Sequence, residues 1–157
     1  MSIERARTYL AAQGKADRII EFEVSSATVA LAAQALGCQP AHIAKTMSFD
    51  CGGKTILVVA AGDVKVNSAK YKQRFGVKAK MLSAEEVEPR VGHGVGGVCP
   101  FGVNEGVELY LDESLRRFET VYPAAGNAAS AVRLTPEELA ALLPGAEWVD
   151  VCKLPEN

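Results

Sequence analysis

Hydrophobic and polar residues alternate along residues 43–49, which predicts a β-strand with two different faces. Three apolar residues and Lys45 share one face, so Lys45 is the single charge on the apolar side. Residues 54–61 are apolar on both faces, which is typical of a strand in the middle of a sheet. A turn sequence, residues 50–53, separates the two runs, so the pattern predicts a β-hairpin.

Capping residues and glycine stops predict short helices around this hairpin. Ser26 is suited to cap a helix over residues 27–36, and residues 135–138 read Thr-Pro-Glu-Glu, a strong helix start. Residues 77–82 have the alternation of a further strand. Strands without regular helix alternation favour a mixed sheet over a doubly wound fold. The sequence therefore predicts one α+β domain over residues 1–157, with a mixed, partly closed β-barrel-like sheet flanked by short helices.

Length and composition fit a soluble globular domain with one core. The chain has 157 residues, of which 48% are hydrophobic and 23% charged. Its first residues lack the apolar segment of a signal peptide, and the longest apolar runs are too short to span a membrane. Four cysteines without paired spacing suit a reducing compartment, so we expect a cytoplasmic protein.

The charge balance limits the partners. A formal net charge of −2 argues against a broad basic surface that grips DNA or other long nucleic acid. Positive charge is nevertheless concentrated locally, because residues 65–80 contain six lysines and arginines. A small basic patch on an acidic protein is therefore compatible with the sequence.

Residues 92–102 contain five glycines in eleven positions and form a candidate ligand loop. Glycine accepts positive φ and leaves backbone N–H groups accessible to a ligand. The run formally matches G-x-G-x-x-G, but Pro100 and Gly102 stand where the helix of a dinucleotide fold would run. A Walker phosphate loop fails as well, because no Lys-Ser or Lys-Thr follows Gly97.

Two cysteine–histidine combinations are candidate chemical sites. Cys99 with His93 could form a thiol nucleophile and its base, but the sequence offers no third group to orient the base. Cys38 with His42 could be half of a metal site, but no second half exists in the sequence. The sequence therefore predicts neither a metal nor another cofactor.

Lys45 and Asp112 each allow two interpretations. Lys45 either extends its ammonium to solvent from a strand edge or faces an anion, such as a substrate phosphate or carboxylate. Asp112 ends a predicted strand just before Glu113-Ser114, where it is either a helix cap or a polar wall of the same pocket.

Four segments together resemble a known family. They are residues 43–49 (Ile-Ala-Lys-Thr-Met-Ser-Phe), the glycine loop 92–102, residues 110–115 (Tyr-Leu-Asp-Glu-Ser-Leu) and Gly126-Asn127. In this order they resemble the YbaK/ProX-type editing domains, free-standing relatives of the editing insertion in bacterial prolyl-tRNA synthetase. The resemblance covers nearly the whole chain. It implies a mixed β-barrel-like fold and hydrolysis of mischarged aminoacyl-tRNA.

The resemblance also implies a set of site residues. The family's lysine corresponds to Lys45, and its G-x-x-x-P loop corresponds to residues 96–100. Its later polar position corresponds to Asn127. The predicted catalytic residues are Lys45, Gly96, Gly97, Val98, Cys99 and Pro100. The predicted substrate-binding residues are Thr46, His93, Phe101, Asp112, Gly126 and Asn127.

Backbone N–H groups of the loop would stabilise the oxyanion of an ester, and Lys45 would hold a phosphate of the tRNA 3′ terminus. No strong general base is evident, consistent with use of the substrate's own terminal hydroxyl. The expected substrates carry a small amino acid of the Ala, Cys, Ser or Thr class. The alternative is a non-catalytic module that binds a tRNA acceptor end or an aminoacyl-tRNA synthetase.

Overall fold

The computed structural model describes residues 2–23 and 28–155. Five α-helices occur within the described residues: α1 (Ser2–Ala12), α2 (Val29–Leu36), α3 (Ser68–Phe75), α4 (Ala84–Val91) and α5 (Pro136–Leu142). Single turns of 3-10 helix lie at Ala16–Arg18 and Pro40–His42, and a longer 3-10 segment at Glu113–Arg117.

Capping explains where these helices begin and end. Thr28 accepts the N–H of Leu31 and starts α2, while Gly37 ends it in the left-handed region. The Ser26 cap predicted for this helix lies outside the described residues. The predicted Thr135 cap is confirmed: Thr135 and Glu138 form a reciprocal capping box on α5.

The described strands form one five-stranded sheet and two ribbons of two strands. The sheet has the order β6-β2-β3-β5-β8; β2 and β3 are antiparallel, and the other pairs are parallel. Strands β1 and β7 form one ribbon, and β4 and β9 the other. The strands are β1 (Ile19–Glu21), β2 (Ile43–Cys51), β3 (Lys54–Ala61), β4 (Lys65–Val66), β5 (Glu108–Asp112), β6 (Tyr122–Pro123), β7 (Ser130–Val132), β8 (Glu147–Val149) and β9 (Cys152–Lys153).

The fold class predicted from the sequence is confirmed, since the mixed sheet curls into a half-barrel flanked by short helices. Strand β3 lies at the centre of the sheet order, and its residues 56–61 are fully buried. The strand predicted over residues 77–82 is wrong: only Met81 forms a bridge, to Phe49 of β2. Residues 76–81 are exposed, so no neighbouring layer covers the apolar side chains of this segment.

Candidate functional site

A cavity of about 380 Å³ lies beside β2, which we call the β2 pocket. Its wall comes from α2, β2, the residues before and in α4, the glycine loop and the segment around β6 and β7. The lining includes Val29, Thr46, Met81, Gly96, Val98 and Asn127. This volume is at the low end for ligand sites, which favours a small occupant.

Lys45 is the one charged residue among the described residues that line the β2 pocket. It is half-buried, and its Nζ donates to the carbonyl oxygen of Val64. Burial lowers the pKa of Lys45, while Cys152 and Asp63 oppose that shift. The Asp63 carboxylate is already paired with Arg117 at 2.6 Å. An ammonium has three N–H donors, of which the Val64 oxygen accepts one.

The glycine loop is held against Gly126 and Asn127 at a distance that only glycine permits. A Cβ at Gly97 would lie 2.5 Å from both the Asn127 Cα and the Gly126 oxygen. Both neighbours are backbone atoms and cannot rotate away. The segments that the sequence predicted as parts of one site are therefore in direct contact, through the backbone.

Several backbone N–H groups of this loop, those of Gly96 and Val98 among them, form no hydrogen bond within the described residues. The Gly97 N–H donates within the loop to Gly94 at 3.1 Å. Within residues 2–23 and 28–155, no acceptor lies within hydrogen-bond distance of the N–H of Gly96 or of Val98. Both residues line the β2 pocket. An unpaired N–H beside a pocket is available to a ligand oxygen.

His93, Cys99 and Phe101 lie behind the loop and are all fully buried. His93 Nε2 is 2.6 Å from the Phe101 oxygen, and Cys99 Sγ is 3.5 Å from the same nitrogen. Burial raises the pKa of Cys99 to about 12, so its thiol stays protonated at neutral pH. None of the three lines the β2 pocket. Their contacts are those of packing beneath the loop, and a Cys99 nucleophile is disfavoured.

The titration of His93 makes the stability of the loop sensitive to acid. Burial lowers the pKa of His93 below its ordinary 6.5, so the unfolded chain binds this proton more readily than the folded one. We expect the free energy of unfolding to fall as the pH decreases below about 6.5. Urea unfolding at several pH values measures this. His93→Gln should flatten the profile and His42→Gln should not; if both keep wild-type slopes, His93 is not the group responsible.

The remaining predicted site residues either line the β2 pocket or support its wall. Pro100 and Gly126 are buried and do not line the β2 pocket. Gly126 has a φ of 101°, which favours glycine. Asn127 lines the pocket while its Oδ1 accepts the Ala129 N–H at 2.9 Å, which fixes the side chain.

Asp112 takes the first of its two interpretations, that of a cap. One carboxylate oxygen accepts the Ser114 N–H and the other accepts the Val151 N–H, each at 2.9 Å. The side chain is buried and does not line the β2 pocket, so its placement as a polar wall is corrected. Both oxygens are committed to backbone donors, and Asp112 joins the end of β5 to the segment that leads into β9.

Two residues of the site, Ser48 and Arg5, were not predicted from the sequence. Ser48 shares the pocket face of β2 with Thr46, as strand alternation would have indicated. The Thr46 Oγ1 is buried with no hydrogen-bond partner among the described residues. Arg5 of α1 donates to the Gly92 oxygen at 3.1 Å and to Asn104 at 3.0 Å, and so holds one end of the loop. No local sequence signal marks Arg5, since it lies 87 residues from its acceptor.

Among the described residues, no group of three or more His, Cys, Asp or Glu side chains is placed to hold a metal ion. Cys38 and His42 therefore belong to no such group among the described residues. In the same part of the chain, no helix has the length and apolar character needed to cross a membrane.

A family model described as "Aminoacyl-tRNA editing domain" matches residues 23–142. Protein YwhH of Bacillus subtilis (strain 168), which has no assigned function, is 48% identical over 98% of both chains. The proline–tRNA ligase of Bacillus cytotoxicus is 33% identical over 51% of this chain. That match spans only 14% of the ligase, so it concerns one part of a much longer enzyme.

Two solved structures have the same fold as this chain over nearly its whole length. The crystal structure of a candidate trans-editing enzyme for prolyl-tRNA synthetase superposes with a TM-score of 0.88 and 31% identity, covering 97% of each chain. The crystal structure of hypothetical protein APE2540 superposes with a TM-score of 0.85 and 28% identity. It covers 95% of this chain and 99% of that one.

Proposed function

Because the chain belongs to the aminoacyl-tRNA editing domain family, we propose that it deacylates mischarged tRNA in trans. The proposal rests on one observation. Lys45 and the unpaired N–H groups of Gly96 and Val98 line the same small cavity, the β2 pocket. A cation and backbone donors are the groups that an ester bearing a nearby phosphate requires.

The reaction is hydrolysis of the ester between an amino acid and the terminal ribose. Water attacks the carbonyl carbon, the carbonyl oxygen becomes negative, and the ribose oxygen leaves with a proton. The N–H groups of Gly96 and Val98 stabilise that oxygen, and Lys45 holds a phosphate of the RNA terminus. Among the described residues, the lining contains no carboxylate or imidazole. We therefore assign relay of the water proton to the free hydroxyl of the same ribose, which accepts that proton while its own proton passes to the leaving ribose oxygen.

The pocket favours a small amino acid. Its wall is mostly apolar, and Val29 and Ala32 of α2 lie across it. The space of about 380 Å³ must hold part of the terminal nucleotide together with the amino acid. We expect esters of Ala, Cys, Ser or Thr to be substrates. One methylene in such a pocket changes the free energy of binding by only about 1–3 kcal/mol, so discrimination within this class is modest.

The test is a deacylation panel. Purified protein is mixed with tRNA charged with Ala, Cys, Ser or Thr and with correctly charged prolyl-tRNA, and loss of the ester is followed with time. We expect hydrolysis of at least one small mischarged ester and none of prolyl-tRNA. Absence of turnover on every ester contradicts the proposal. Tight binding of a non-hydrolysable aminoacyl-adenosine analogue without turnover would instead support the rival function, a binding module for the acceptor end or for a synthetase.

A further inference from the structure

The basic segment noted in the sequence is not used by the β2 pocket. From residue 64 to residue 84 there are six lysines and arginines and no aspartate or glutamate, in a chain with 19 acidic residues. The pocket mechanism needs only Lys45. A run of this length without a single carboxylate therefore calls for its own explanation.

The basic residues of α3 lie on two different faces of the helix. Lys70 and Arg74, one turn apart, pair with Asp150 at 2.9 Å and Glu147 at 2.5 Å and so attach α3 to the C-terminal strands. Lys72 lies between them in sequence and therefore faces away from that contact. Its side chain is exposed.

Lys72, Lys78 and Lys80 are exposed and unpaired. Within the described ranges 2–23 and 28–155, no carboxylate lies within ion-pair distance of any of the three. Asp50, whose backbone N–H donates to the Lys80 oxygen, accepts from Gly53 and lies 3.7 Å from Arg90, and the charge of Lys80 acts on this carboxylate only from beyond ion-pair distance. Several other exposed cations, Lys54 among them, have acidic partners, whereas Lys65 and Arg133 form no ion pair within the described residues.

A concave surface connects these lysines. Lys72 and Lys78 line a groove of about 330 Å³ between α3 and the segment that follows it. We call this groove, together with Lys80, the lysine groove. Its floor is formed by the small residues Ser68, Ala69 and Ala79, which leave room for a bulky anionic chain.

The lysine groove and the β2 pocket are bordered by one chain segment, residues 78–82. Its segment is hydrogen-bonded to β2 at two points, Asp50 N to the Lys80 oxygen at 2.8 Å and Leu82 N to the Ser48 oxygen at 3.1 Å. Met81 and Leu82, the two residues after Lys80, line the pocket. A chain whose end lies in the pocket could continue along Lys80, Lys78 and Lys72.

We propose that the lysine groove binds the phosphate backbone of the RNA strand whose aminoacylated 3′ end enters the β2 pocket. This rests on the proposed function. The lysines act as point charges towards phosphodiesters, which gives affinity and orientation without base specificity. The groove explains how a protein of net charge −2 binds RNA: the positive charge is confined to one route that ends at the site.

Two substrates distinguish RNA binding in the lysine groove from ester hydrolysis in the β2 pocket. A triple variant, K72Q/K78Q/K80Q, is compared with K54Q/R7Q/R116Q, which removes three exposed cations that have acidic partners. On an aminoacylated acceptor-stem RNA, the lysine-groove variant is expected to lose about tenfold or more in kcat/KM at low salt, mainly through KM. On aminoacyl-adenosine, which does not reach the groove, both variants are expected to match the wild type.

Binding of uncharged acceptor-stem RNA, followed by fluorescence anisotropy at several salt concentrations, tests the groove even without turnover. The slope of log K against log salt should fall by about one unit for each lysine removed from the groove, and should stay unchanged in the control variant. Equal slopes and affinities in the two triple variants overturn this proposal, whatever the deacylation panel shows. Loss of binding in the lysine-groove variant alone supports it, even if the wild type hydrolyses no ester.

Discussion

Replacing Gly97 with alanine is expected to lower the rate of aminoacyl ester hydrolysis by about a hundredfold or more, the effect typical of losing one backbone oxyanion donor. The new Cβ would meet the Asn127 Cα and the Gly126 oxygen at 2.5 Å. Since all these atoms belong to backbone, the two segments must separate, and the N–H groups of Gly96 and Val98 would move with them. Single-turnover kinetics on a mischarged tRNA measure the loss.

Gly94→Ala is the matched control in the same loop. A Cβ there would meet only the end of the Glu88 side chain, at 3.0 Å, and that side chain can move. We expect Gly94→Ala to keep most of the activity. If the two variants lose activity equally, the close contact with Asn127 is not what organises the site, and a general sensitivity of the loop would explain the result.

Replacing Lys45 with methionine is expected to reduce kcat/KM by about 10- to 150-fold, which corresponds to the roughly 1.5–3 kcal/mol of a hydrogen bond to a charged group. Methionine keeps most of the apolar stem and removes the ammonium that would hold a phosphate. The loss should be large on an aminoacyl ester of adenosine 5′-phosphate and small on the same ester of adenosine. A loss of equal size on both substrates would show that Lys45 acts on the ester itself.

Stability provides the control for this variant. Burial lowers the pKa of Lys45, so the folded state disfavours its charged form. Removing the ammonium should therefore leave the free energy of unfolding unchanged or raise it, as measured in urea. Lys54→Met removes an exposed lysine from the neighbouring strand and should change neither activity nor stability. A marked loss of stability in Lys45→Met would point to a structural role.

The sheet was predictable where side-chain pattern and burial agree. Residues 54–61 are apolar on both faces, and β3 is indeed the central strand. Residues 77–82 alternate between apolar and basic residues, yet Val77 and Met81 are exposed, and only Met81 pairs with a strand. Periodicity describes what a segment could bury, but whether another layer is present to cover it depends on distant parts of the chain.

The segments that form the site were predictable from the sequence, but the burial of their individual residues was not. Lys45 and Gly96 both line the β2 pocket, and Gly97 touches Asn127. Cys99, four residues from Val95, is fully buried, whereas Val95 is 69% exposed. A glycine-rich loop has no regular period, so the sequence does not indicate which of its residues face a ligand and which support the loop from behind.

Because Arg5 donates to the Gly92 oxygen, the part of the chain that packs together extends beyond the residues matched by the family model. The family model begins at residue 23, yet Ala6 and Leu10 of α1 are fully buried and Arg5 fastens one end of the glycine loop. A fragment trimmed to the matched residues would keep every pocket residue and lose the brace behind them. Helix α1 therefore supports the candidate site, although none of its described residues lines the β2 pocket.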